Sequence, residues 1–155
     1  MIVVRVSLAA ALALGAPTLL QAQSAVADLG TARPIAGSWV YSTNATGSEA
    51  SFLNSSSLPQ LTLRCTKSTR RVMIAKPATG AAATMIIWTS SAVRAVPASF
   101  NPLTNRISID LVSNDPLLDS LAFSRGRIGV SVANMPPLVV PAWPEVARVV
   151  EDCRS

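Results

Sequence analysis

The chain has 155 residues, enough for one ordinary domain and a short leader. It carries 13 Lys+Arg against 8 Asp+Glu, a formal net charge of +5, and no histidine. The missing imidazole excludes His-based triads, histidine metal sites and histidine general bases. The absence of blocks of like charge excludes a nucleic-acid tail.

Residues 1–22 read as a signal peptide. Arg5 supplies a short basic start, 6–16 is an unbroken small and apolar run, Pro17 interrupts it, and Leu20-Gln21-Ala22 offers small residues for cleavage. Cleavage after Ala27 is the alternative. The run is too short to cross about 30 Å of hydrocarbon comfortably, so no stable transmembrane segment is expected after cleavage. A buried N-terminal helix and a retained anchor are the competing readings. No cysteine stands at the cleavage site, which argues against a lipoprotein. Without the leader, and so without Arg5, the excess of basic residues falls to about +4. Residues 23–36 read as a flexible linker, and 37–155 as a single β-rich domain.

From Gly37 onward, short apolar runs alternate with turn residues. Strands are expected at 37–42, 50–53, 60–65, 71–75, 83–89, 92–96 and 106–111, and again at 126–132 and 138–140. The alternation is cleanest in Arg106-Ile107-Ser108-Ile109-Asp110-Leu111. In 60–65 it puts Leu61, Leu63 and Cys65 on one face and Arg64 on the other. Residues 101–105 read as a turn. About seven to nine strands at this spacing predict a β-sandwich or a barrel-like antiparallel sheet.

Two short helices interrupt the pattern. Asp115-Pro116 reads as an N-cap followed by proline at the first helical position, with Gly126 as the C-terminal stop. Pro144-Glu145 opens a C-terminal helix whose Val146, Val149, Val150 and Cys153 fall on one stripe. Strand parity and helix periodicity thus aim Cys65 and Cys153 at the same core. The spacing fits no zinc pattern, and an even count behind a leader points to a Cys65–Cys153 disulfide.

No P-loop, GxGxxG, GxSxG or HExxH motif is present, and no cofactor or metal site is expected. Asp115 and Asp119 share a helix face, as a carboxylate pair for acid–base work or calcium would, although capping already explains Asp115. The most distinctive segment is Ser124-Arg125-Gly126-Arg127. Its two guanidinium forks suit a carboxylate, sulfate or phosphate; the competing reading pairs them with Asp119 or Glu151. Arg64, Lys67, Arg70, Arg71 and Lys76 form a second basic cluster around a hairpin, either an anionic-surface patch or a solvated turn. Trp39, Trp88 and Trp143 are expected in the core. Asn44-Ala45-Thr46 and Asn54-Ser55-Ser56 match the N-glycosylation pattern.

Gly37-Ser38-Trp39, Leu63-Arg64-Cys65 and Val146-Ala147-Arg148-Val149-Val150-Glu151-Asp152-Cys153, behind an apolar leader, resemble in layout exported bacterial proteins of the invasion-associated locus B type and small periplasmic accessory proteins of secretion systems. Asp115-Pro116-Leu117-Leu118-Asp119, Ser124-Arg125-Gly126-Arg127 and Pro141-Ala142-Trp143-Pro144-Glu145 resemble segments of uncharacterised alphaproteobacterial exported proteins. The resemblance covers about 37–154 and implies a sandwich-like fold without catalytic residues.

Together these features predict a non-enzymatic periplasmic or secreted protein that binds a protein or an anionic envelope component, with Arg125 and Arg127 as first candidates and Arg64, Arg70 and Arg71 as second. The alternatives are an inhibitor or chaperone-like accessory of an envelope enzyme or secretion system, and a His-free hydrolase built on Asp110, Asp115 or Asp119.

Overall fold

In the computed structural model, residue 29 and residues 31–155 are described. The expected signal peptide, and half of the expected linker, lie outside the described residues.

Ten strands and two helices follow in order: β1 Gly37–Asn44, β2 Gly47–Asn54, β3 Pro59–Thr66, β4 Arg71–Pro77, β5 Thr84–Trp88, β6 Val93–Pro97, β7 Ser99–Asn101, β8 Arg106–Val112, α1 Pro116–Ala122, β9 Arg127–Val132, β10 Leu138–Pro141 and α2 Pro144–Asp152. They form two antiparallel sheets, one of six strands in the order β1-β2-β3-β4-β8-β7 and one of four in the order β10-β9-β5-β6. The expected mainly-β architecture with two short helices is present. The additional strand is β7, at residues the sequence reading leaves unassigned except for Asn101, the first residue of the expected turn. Three residues are too few to show a period of two, and β7 exists because it pairs with β8, Phe100 opposite Ile107.

Alternation decides which side chains meet. From the six-stranded sheet, Leu61, Leu63, Ile74, Ile107 and Ile109 point inward; from the other come Met85, Ile87, Ile128 and Val130. All belong to one apolar cluster, whose burial out of water is the main favourable term. Turn chemistry sets the register. The Asn44 side chain accepts from the Thr46 and Gly47 amides at 2.8 and 3.1 Å, and Asn54 does the same for Ser56 and Leu58, both at 3.0 Å. Both glycosylation-like triplets therefore have a local explanation as side-chain-capped turns. Gly47 is needed for close approach, because a Cβ there would lie 2.0 Å from the Cys65 carbonyl oxygen.

Asp115 caps α1, accepting from the Leu117 amide at 2.8 Å, and Arg94 on β6 grips the same carboxylate at 2.8 Å. The Arg94 hydrogen bond is the main cause holding the Asp115 carboxyl below its usual range, against opposing burial. The helix stops earlier than its sequence implies. The C-cap is Phe123, whose amide reaches Asp119 and Leu121 carbonyls. Gly126, with φ of 82°, instead turns the loop into β9.

The terminal helix α2 packs on β1, β2 and β3. Val146, Val149 and Val150 are buried, as are Cys65 and Cys153, which form the expected disulfide with Cα atoms 5.4 Å apart across 88 residues of sequence. Two hydrogen bonds latch β1 to the same C-terminal segment. Trp39 Nε1 donates to the Pro141 carbonyl at 2.8 Å, and the Tyr41 hydroxyl donates to Asp152 Oδ2 at 2.5 Å. Arg148 stacks over the Tyr41 ring at 4.1 Å. Burial by itself would raise the Asp152 carboxyl, but the Tyr41 hydrogen bond, Lys67 and Arg148 hold it below its usual range.

Two outcomes are expected. Replacing both cysteines with serine lowers unfolding free energy by about 4 kcal/mol, since closing a loop of this length restricts the unfolded chain; urea titration of both proteins measures it. The lowered Asp152 pKa means that the unfolded state takes up its proton first as pH falls. The stability it contributes is complete above about pH 4 and is lost on acidification below that. Asp152→Asn is expected to reduce stability at pH 7 and to flatten the acid limb of a melting-temperature profile.

Candidate functional site

The sequence-named arginines fall into separate places. Arg64 lies on the outer face of the six-stranded sheet and pairs with Glu49 at 2.5 Å. Arg71 pairs with Asp110, and Arg70 donates to the Arg154 carbonyl. Lys76, grouped with them by sequence, follows the inward parity of β4 and is 7% exposed. Its Nζ donates to the Pro77 carbonyl at 3.2 Å, and burial lowers its pKa. The hairpin cluster is thus dispersed rather than gathered into one patch.

Arg125 and Arg127 do come together, at a corner of the four-stranded sheet. Here the loop after β5 meets the loop before β9 through reciprocal serine bonds. The Ser90 amide donates to Ser124 Oγ at 3.1 Å, the Arg125 amide donates to Ser90 Oγ at 3.0 Å, and Ser124 Oγ donates to the Arg127 carbonyl at 2.8 Å. Beneath them is a cavity of about 190 Å³ lined by Leu29, Trp88, Thr89, Ser90, Arg125, Arg127 and Gly129. Trp88 and Gly129 are cross-strand partners, and parity puts both on the outer face. A side chain at 129 would fill the place taken by Leu29, whose Cβ lies 2.9 Å from the position of an added Cβ. Leu29 is buried, Ile35 N donates to the Val139 carbonyl at 2.9 Å, and Arg127 Nη1 donates to the Ala32 carbonyl at 2.7 Å. The described part of the expected linker is therefore fastened to this sheet.

Among the described residues, the charged side chains lining the corner are both basic. Trp88 Nε1 is buried without a hydrogen-bond partner. Neither Arg125 nor Arg127 pairs with a carboxylate among the described residues. The expected acceptor Asp119 is taken by Arg154 at 2.7 Å. Among the described residues, no carboxylate lines the cavity. Sequence reading located the two arginines but placed Trp88 in the core, because a continuous apolar run hides which parity faces outward. Trp143 also differs from expectation: it precedes α2 as its N-cap residue and is 42% exposed.

A second, larger feature was not legible. A groove of about 410 Å³ opens on the outer face of the six-stranded sheet, with Glu49, Thr62, Arg64, Asn101, Arg106 and Ser108 among its lining. Arg106 was read only as the start of a strand. Its Nη2 donates to Thr62 Oγ1 at 2.9 Å and to the Ala75 carbonyl at 3.1 Å.

Asp110, Asp115 and Asp119, the carboxylates on which a hydrolase reading depended, are each paired with an arginine: Arg71, Arg94 and Arg154. Among the described residues, no three metal-ligating side chains cluster, and no helix is long and apolar enough to cross a membrane.

Lys76 gives a direct check on these placements. A buried ammonium without a carboxylate partner carries a desolvation cost. Lys76→Met is expected to raise stability by about 1 kcal/mol at pH 7, measured by urea unfolding. A solvated hairpin lysine would give no gain.

No family model, curated protein or solved structure matches the chain, which leaves the arginine corner and the groove as the features from which function is read.

Proposed function

We propose that this chain is a non-catalytic binding module, periplasmic or secreted, that holds an anionic group of an envelope component or partner protein at the Arg125–Arg127 corner. One observation carries the reading: Arg125 and Arg127, without carboxylate partners among the described residues, line one small cavity together with Trp88, whose buried indole N–H has no hydrogen-bond partner. A buried donor left without an acceptor costs about 1–3 kcal/mol, and a carboxylate or phosphate oxygen supplies the acceptor. Charge-assisted bonds from arginine are the stronger kind and match the oxygens of such groups in pairs. The serine clasp between the two loops limits the ordering that binding requires. The compartment is supported by the apolar leader expected at 1–22 and by the disulfide, which persists where thiols are not kept reduced.

A second reading, an accessory that pairs with an envelope protein through a sheet edge, draws on β1. It has eight residues without charge or proline, at one end of the strand order. Such an edge invites an added strand.

The indole N–H resonance of Trp88, assigned by Trp88→Phe, reports on the corner directly. Titration with inorganic phosphate and with acetate is expected to shift it. Arg125→Ala is expected to weaken that response at least about tenfold while moving the melting temperature little, as the guanidinium holds no partner among the described residues. An unmoved Trp88 resonance, or an unchanged response in the variant, overturns the reading.

A further inference from the structure

We propose that the groove on the outer face of the six-stranded sheet is a separate binding site for an acidic saccharide, with Arg106 receiving the sugar's carboxylate. The register builds the groove. Ser51, Thr62, Ala75, Ser108 and Ser99 are successive cross-strand partners from β2 to β7, so a row of small side chains runs across the sheet. Larger groups border this row: Glu49, Arg64 and Met73 on one side, Pro59, Arg106 and Asn101 on the other. The result is a shallow trough with a low floor and a polar rim.

Most polar groups here hold one another. Ser51 Oγ donates to Glu49 at 3.0 Å and lies 3.0 Å from Thr62 Oγ1, while Arg64 Nε donates to Glu49 at 2.6 Å. Arg106 is the exception. Its two hydrogen bonds both use Nη2 and both go to uncharged oxygens, leaving Nε and Nη1 without a partner among the described residues. Burial disfavours its charge, with Glu49 offsetting and Arg64 adding to the effect, yet a guanidinium stays protonated in proteins. Arg64 is neutralised by Glu49, so the groove retains one positive charge.

One fixed cation among hydroxyls, an amide and a carboxylate fits a ligand with one negative group and several hydroxyls. Sugar hydroxyls both donate and accept, as do Ser51, Thr62 and Ser108, while Asn101 offers an amide and Glu49 accepts. A bare anion would use Arg106 and leave the hydroxyl row idle. An apolar ligand would strip water from all of it without return. The volume is of the order of small-molecule sites, about 300–1,000 Å³. This site is independent of the Arg125–Arg127 corner, on a different sheet.

The test uses glucuronate, glucose and inorganic phosphate as probes, followed by amide shifts of β3, β4 and β8 and by calorimetry. Glucuronate is expected to bind at the groove, with glucose and phosphate at least about tenfold weaker there. Arg106→Gln is expected to weaken glucuronate about tenfold or more, whereas Arg125→Ala leaves it unchanged. Ser108→Tyr, on the solvent face of β8, raises the trough floor without entering the core; it is expected to give the same loss and keeps the test valid if Arg106→Gln fails to fold. Three results overturn the proposal: no glucuronate response in the groove, phosphate binding there as tightly as glucuronate, or unchanged affinity in whichever of the two groove variants folds. Loss of the phosphate response at Trp88 with groove binding intact counts against the corner alone.

Discussion

The C-terminal helix is the element on which the sheet architecture depends. The six-stranded sheet begins with β1, which has one strand neighbour, and the inner side of β1–β3 needs a cover. That cover is α2, with Val146, Val149 and Val150 turned inward. Its own helical propensity is modest, since nine residues are too few to hold a helix alone in water and valine is a weak helix former. Tertiary fixation therefore supplies the stability: the Cys65–Cys153 bridge, the Tyr41–Asp152 hydrogen bond and the Arg148 stack all act within its last turns.

That division of labour leaves the two pockets rigidly framed but chemically unfinished. Arginine is used in two ways. Arg64, Arg71, Arg94 and Arg154 are paired with carboxylates and tie elements together. Arg106 and Arg127 are held by neutral oxygens, and Arg125 lies at a cavity rim. A guanidinium positioned by carbonyls keeps its charge available, whereas one bound to a carboxylate has lost most of its field outside the pair. The distinction separates the arginines that tie elements together from those on which the proposed sites rest more sharply than exposure does.

Much of the fold was legible because period two survives wherever one face of a strand is buried. In β3 and β8 every second residue is apolar, and parity correctly aimed Cys65 inward and Arg64 outward. The α2 stripe did the same for Cys153. Legibility failed where local signals are short or ambiguous. Three-residue β7 has no period of its own. Lys76 continues an inward parity that its charge contradicts. Gly126 carries a helix-stop signal but lies beyond the α1 cap. The Arg125–Arg127 corner was visible as a residue pattern, but its third donor, Trp88, was not. The groove was invisible for a different reason: its small row is assembled from β2, β3, β4, β7 and β8, and cross-strand adjacency over such distances is a property of topology.

The latching of β1 also has a consequence in time. Trp39 and Tyr41 find their partners 102 and 111 residues later, and Cys65 waits 88 residues for Cys153. A polypeptide synthesised from its N-terminus cannot secure its first strand until α2, the last of the described elements, has been made. Hairpins among β2, β3 and β4 can form as they emerge, but the locked state is delayed until α2 has followed. Closure is then a single late event that joins both ends of the domain at once.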